Sequence, residues 1–144
     1  PQVSDRLVHT GVDLIPTLCS FAGIAAPPGL PGLSLYETAI GRRVPDPRRY
    51  LVACNKMVQG APVEGRTPRP EGRMVRSQRY KYCVYSEGQQ RESLVDLEAD
   101  PGEMVNLAGD PRYRKILEEH RAMLAEWQRA VGDPFASLPA RSAA

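Results

Sequence analysis

Apolar residues recur along this chain in three rhythms, and the changes between them mark its elements. From Leu14 to Ala22 the apolar positions Leu14, Ile15, Leu18, Cys19, Phe21 and Ala22 lie almost all round one short helix. Asp13 is placed as its N-cap, Pro16 falls in the first turn, where a missing N–H costs nothing, and Gly23 stops it. A helix apolar on nearly every side must be buried on nearly every side, and little else in the chain can cover it.

The segment from Ala25 to Leu35 is rich in Pro and Gly and reads as a connection with fixed turns. Four strands are expected after it, at Tyr50 to Cys54, Arg73 to Arg76, Tyr80 to Tyr85 and Glu92 to Leu97. The second and third flank the tight connection Ser77-Gln78-Arg79 and form a hairpin, with Tyr80, Tyr82 and Val84 alternating with Lys81, Cys83 and Tyr85. A long irregular loop, Asn55 to Gly72, separates the first strand from the second, and loops of that length are usually functional or disordered.

The last rhythm is helical. Asp110 caps and Pro111 opens a helix running to about Val131, with Gly132 after it. Tyr113, Ile116, Leu117, His120, Met123, Leu124, Trp127 and Val131 form one apolar stripe, opposite Arg114, Lys115, Glu118, Arg121 and Gln128. The expected fold class is α+β. A small antiparallel four-stranded sheet packs against one long C-terminal amphipathic helix, with residues 1–40 a torn edge of something larger. The tail from Ser137 to Ala144 reads as frayed.

Composition narrows the classes. The 144 residues are 42% hydrophobic and 25% charged, a globular mixture. No apolar run reaches 18 residues, so no helix spans a membrane, and Pro1 to Arg6 has no signal-peptide core. Cys19, Cys54 and Cys83 form no C-x-x-C pair and are expected as buried small hydrophobes. Charge is uneven. Residues 41–81 hold eleven Lys/Arg against three Asp/Glu, a balance of +8, and residues 82–144 hold seven against eleven, a balance of −4. A basic middle of this kind suggests that it meets an anion, either a ligand or another part of a larger protein. Nucleic acid is a poor candidate, because no finger, RRM or KH signature accompanies the charge.

Most catalytic constellations are absent. There is no G-x-S-x-G, Walker loop, H-E-x-x-H or G-x-G-x-x-G. His120 lies on the apolar stripe and is expected as a packed histidine, while His9 stands alone before the first helix. The acidic run from Asp96 to Glu103 fails as a calcium loop, since its sixth position is Pro101 and its twelfth Leu107. A strand end and turn is expected there instead. The candidates for ligand contact are Lys56, Arg66, Arg69 and Arg73, in or beside the long loop, because cationic heads pair with sulfate or phosphate oxygens.

Four segments in order resemble the C-terminal part of sulfatases. Thr10 to Ile24 is similar to the family's helix of Asp, two apolar residues, Pro-Thr-Leu and a later Ala-Gly-Ile. Pro28 to Leu35 resembles its Pro-to-Gly-x-Ser-Leu loop, Arg73 to Tyr82 its basic hairpin, and Leu94 to Leu107 its strand-turn segment before the last helix. The resemblance implies an alkaline-phosphatase-like fold. A large α/β domain would end within residues 1–47, a C-terminal subdomain would span 48–132, and 133–144 would be tail.

It also implies hydrolysis of sulfate esters or sulfamates by a parent enzyme using calcium and a formylglycine made within C-x-P-x-R or S-x-P-x-R. This chain is expected to hold none of those positions: Cys54 is followed by Asn55-Lys56-Met57-Val58, and Cys83 by Val84-Tyr85-Ser86-Glu87. The 144 residues alone are expected to be inactive. The implied partners are the catalytic domain and a sulfated small molecule or saccharide, with no membrane and no nucleic acid. A rival reading makes the chain a stand-alone binding or oligomerisation module derived from such a domain. The apolar helix Leu14–Ala22 predicts that the isolated fragment self-associates into a homo-oligomer or aggregate.

Overall fold

The computed structural model describes residues 4–45, 48–57, 61–62, 65, 67 and 69–135. The chain divides into two compact units, Pro1–Leu51 and Val52–Ala144. In the first, α1 (Thr10–Ala22) runs from His9 as N-cap to Gly23, which closes it at φ 67. The expected N-cap, Asp13, instead sits inside the first turn. Its carboxylate reaches back to accept the His9 N–H at 2.8 Å, so the helix opens earlier without a capping side chain.

Asp13 is 1% exposed and gathers three further donations. The Leu33 N–H reaches it at 2.9 Å, and Arg48 bonds both carboxylate oxygens at 2.6 and 2.5 Å. Arg48 also donates to the Leu7 carbonyl at 3.1 Å. Along the same side of α1, Thr17 Oγ1 donates to the Asp13 carbonyl and accepts from the Leu35 N–H, while Ser34 and Ser20 share a hydroxyl bond of 2.8 Å. The polar residues of α1 therefore bind the Pro/Gly loop.

Pro16, having no N–H, cannot bond the Val12 carbonyl one turn back. Gly32 backs directly against that carbonyl, so close that a Cβ there would overlap it. After the loop comes a single helical turn, α2 (Tyr36–Ala39), whose Tyr36 meets Phe21 edge to face at 4.8 Å.

The consequence is a helix turned inside out. Leu14, Ile15, Leu18 and Phe21 are each more than half exposed, against the all-round burial that their apolar character demands.

The second unit holds β1 (Leu51–Lys56), β2 (Glu71–Arg76), β3 (Tyr80–Tyr85) and β4 (Glu92–Asp96), paired in chain order as one antiparallel sheet. β1 and β2 each extend two residues into the loop that joins them, where the Met57 N–H bonds the Pro70 carbonyl. Asp110 accepts from the Arg112 N–H and Pro111 opens a 3-10 turn, Pro111–Tyr113, before α3 (Arg114–Val131). Gly132 ends α3 at φ 68.

α3 lies on the face of the sheet that carries Val75, Tyr82, Val84 and Leu94, and buries Leu117, His120 and Leu124. Burying each of these aliphatic side chains contributes roughly 1.5–3 kcal/mol. Arg121 of α3 grips Glu92 through Nε at 2.9 Å and Nη2 at 2.5 Å, and the Tyr82 hydroxyl donates to the same carboxylate at 2.7 Å. Burial, then that carboxylate, push the Tyr82 phenol up.

His120 is packed, as its place on the stripe suggests. Its Nδ1 donates to the Ile116 carbonyl at 2.8 Å, and its Nε2 lies 3.0 Å from the Ser77 hydroxyl. The acidic run is a turn. Asp96 accepts Arg79 and the N–H groups of Glu98 and Ala99, and the Arg79 bond holds its carboxyl down at about 2. The cysteines differ from the expectation of burial: Cys54 is exposed, and Cys19 and Cys83 are half-covered. All three are free. They lie on alternating or partly covered positions of α1, β1 and β3, which the apolar local sequence does not reveal.

Burial raises the Asp13 pKa, but Arg48 and the Leu33 and His9 N–H groups outweigh it and hold the group at about 2, against an ordinary 3.8. The lowered folded value makes its stabilisation full above about pH 4 and lost as pH falls towards 2. Asp13→Asn is expected to lower the thermal midpoint at pH 7, with the gap to wild type closing between about pH 5 and pH 2. A gap unchanged with pH would contradict this account. Gly32→Ala is expected to destabilise by more than about 2 kcal/mol, seen as a falling urea midpoint, because its methyl meets backbone that cannot yield.

Candidate functional site

The sequence places its ligand-contact candidates around the β1–β2 connection, and the structure puts three of them at its base. Arg66 lies outside the described residues. Lys56, the last residue of β1, is well exposed and pairs its Nζ with Glu71 Oε1 across the strand pair at 3.0 Å. Arg69 is exposed just before β2.

Arg73 is different. It is 7% exposed and forms a forked pair with Asp133, Nε to Oδ2 and Nη2 to Oδ1, both at 2.8 Å. Nη1 donates to the Gly72 carbonyl at 2.9 Å, and the guanidinium lies 4.5 Å from the centre of the Phe135 ring. Glu71 stands 3.6 Å from Nη2 and so joins Lys56 to the same network. The Arg73 hydrogen bonds hold the Asp133 carboxyl below its ordinary value and raise Arg73 itself.

Asp133 reaches this position because Gly132 turns the chain back after α3. Gln128 then fastens the turn, donating to the Phe135 carbonyl at 2.7 Å. Neither Asp133 nor Phe135 stands out in the sequence as a partner for the basic segment. The only local signal is a carboxylate directly after a helix-ending glycine.

Much of the basic middle is neutralised within the chain. Arg42 pairs with Glu37, Arg48 with Asp13, Arg79 with Asp96 and Lys81 with Glu103. Beside Arg73 the strands leave a shallow concavity of about 100 Å³, lined by Ala53, Cys54, Asn55, Gly72, Arg73, Met74, Cys83 and Tyr85. Its chemistry is mixed: a phenol, an amide, two thiols and a thioether around a glycine floor.

No three His, Cys, Asp or Glu side chains gather as a metal-ligand set among the described residues. The acidic groups at hand are tied to guanidinium groups or backbone N–H groups, so the described residues do not fit the calcium that the resemblance implies. One string departs from expectation. Ser137-Leu138-Pro139-Ala140-Arg141 spells S-x-P-x-R, a form the chain was expected to lack. It lies outside the described residues.

The family profile described as N-sulphoglucosamine sulphohydrolase, C-terminal, matches residues 2–130, which stops short of that string. A Delta 4,5-hexuronate-2-O-sulfatase of Bacteroides thetaiotaomicron is 42% identical over 136 residues, covering 94% of this chain and 27% of its own length. The structure of a 2-O GAG sulfatase superposes with a TM-score of 0.79 at 40% identity, over 96% of this chain and 28% of that one. A protein in complex with its substrate D-glucosamine-2-N,6-O-disulfate matches at 28% identity and a TM-score of 0.62, over 83% of this chain and 24% of its own. The chain thus spans about a quarter of the length of these proteins.

Removing either partner of the Arg73–Asp133 pair leaves a buried charge alone, at a cost of roughly 3–5 kcal/mol. Arg73→Ala and Asp133→Ala are each expected to lower stability by that amount. The double variant should cost much less than their sum, as a double-mutant cycle on urea midpoints would read. Additive losses would contradict the pairing.

Proposed function

This chain belongs to the N-sulphoglucosamine sulphohydrolase C-terminal family, and from that premise we propose that it is the C-terminal domain of an enzyme hydrolysing sulfate esters or sulfamates on saccharides. The observation that carries the reading is likeness to sulfatases over almost the whole chain, in both sequence and fold. The saccharide part of the proposal draws on relatives whose names specify a hexuronate sulfate and a glucosamine disulfate.

The reaction itself is assigned to the part of the protein outside this chain, together with the calcium and formylglycine that the family resemblance implies. The domain contributes structure and charge. Lys56, Arg66 and Arg69 carry the proposal of direct contact with the anionic substrate, because exposed cations at a loop base can meet sulfate oxygens. Arg73 supports them from below, its N–H groups committed to Asp133 and the Gly72 carbonyl. The apolar face of α1 is proposed to be covered by the catalytic domain rather than by water, which favours this reading over a free-standing module.

The test is sulfate release by the full-length protein from a panel of 2-O-, 6-O- and N-sulfated saccharides. Turnover of at least one is expected. Lys56→Ala and Arg69→Ala should each raise KM about tenfold, the loss of one charge-assisted hydrogen bond, with the thermal midpoint unmoved. A full-length protein releasing sulfate from none of them would sink the activity. An unchanged KM in both variants would sink the contact role alone.

A further inference from the structure

The concavity beside Arg73 has a use that the cations do not explain. Tyr82 and Glu92 meet Arg121 of α3, so their positions face the helix. Val75 pairs with Tyr82 in register, whereas Gly72 pairs with Tyr85 and Met74 with Cys83, one step out of phase. The row Gly72, Met74, Cys83 and Tyr85 therefore faces away from α3, and the concavity lies mainly on that open side.

Gly72 shapes it. A Cβ at this position would lie 2.9 and 3.0 Å from Tyr85 ring carbons and would also strike the Asn55 side-chain oxygen. Without one, the Tyr85 ring and the Asn55 amide close in on either side of bare backbone. Tyr85 is fixed from behind, its N–H bonding the Arg91 carbonyl at 2.9 Å and its carbonyl accepting Arg91 Nε at 2.8 Å. Asn55 is exposed, and its amide makes no hydrogen bond among the described residues. Its two donors and its acceptor are available.

Resting on the reading that the whole protein acts on a sulfated saccharide, we propose that this concavity binds a pyranose ring of such a saccharide, with Tyr85 as platform and Asn55 as reader of hydroxyls. The axial C–H face of a pyranose is apolar and packs on an aromatic ring, while its edge hydroxyls seek a group that both donates and accepts. At about 100 Å³ the space falls below the ~300–1,000 Å³ typical of small-ligand sites and opens to solvent, so it seats one face of a ring without enclosing it. Among the described residues the one cation lining it, Arg73, already satisfies its fork on Asp133. The ring is therefore recognised here by shape and hydroxyls, and its sulfate is left to other groups.

The test is calorimetric binding of an unsulfated hexuronate–glucosamine disaccharide to the full-length protein and its variants. Tyr85→Ala should weaken Kd about tenfold, Asn55→Ala about fivefold, and Tyr85→Phe, which keeps the platform, less than about twofold. Asn55→Ala removes an exposed side chain and keeps the test decisive if Tyr85→Ala does not fold. Wild-type protein that does not bind the disaccharide, or variants that bind it as wild type does, would overturn the proposal. Because the probe carries no sulfate, binding without turnover of any sulfated saccharide would remove the proposed activity and leave the ring site standing.

Discussion

One buried carboxylate organises the N-terminal unit. Asp13 draws the N–H of His9, the N–H of Leu33 and both terminal nitrogens of Arg48 to a single point, with Arg48 also holding the Leu7 carbonyl. Three stretches of chain, at Leu7–His9, Leu33 and Arg48, are thereby fixed to one helix turn. A charge so placed is tolerable only because its hydrogen bonds are all made. The same demand sets α1's orientation. Asp13, Thr17 and Ser20 lie along one side at intervals of four and three residues, and once they face the loop the apolar side must face outward.

The second unit repeats the device with a different purpose. Arg73 and Asp133 close the end of the sheet against the turn after α3, and Glu92 with Arg121 and Tyr82 closes its middle. Both are forked pairs at the seam between sheet and helix. Such pairs add less stability than their Coulomb energy suggests, since desolvation opposes it, but they fix geometry well. A rigid seam gives the β1–β2 connection a firm base, and the cations at its ends stand on that base.

Elements governed by local rhythm were legible in the sequence. The centre of the α3 stripe, its glycine stop and the β2–β3 hairpin lie where their periodicity places them, because side-chain spacing and turn chemistry are local properties. Val131, by contrast, is exposed, and Arg121, expected on the polar face, bonds Glu92 of the sheet. What could not be read was long-range. Asp13 looks like a cap and Arg73 like a free cation until Arg48 and Asp133, 35 and 60 residues away, are brought beside them. Cysteines in apolar surroundings looked buried, but sidedness in a strand depends on register and on what covers each face. The family resemblance was legible because it rests on ordered motifs rather than on contacts. The roles proposed for Lys56, Arg66 and Arg69 rest on their charge and their place at the loop, not on a contact within the chain.

The turn after α3 also bears on where the domain can be cut. A shortened protein ending at Val131 would keep every helical and strand residue among the described residues, yet it would lose Gly132, Asp133 and Phe135 together. Arg73 would then face an apolar interior with neither its carboxylate nor its aromatic cover. The fold therefore extends beyond α3 to Phe135 at least, and a boundary drawn at the end of α3 would remove the clasp that holds the sheet shut.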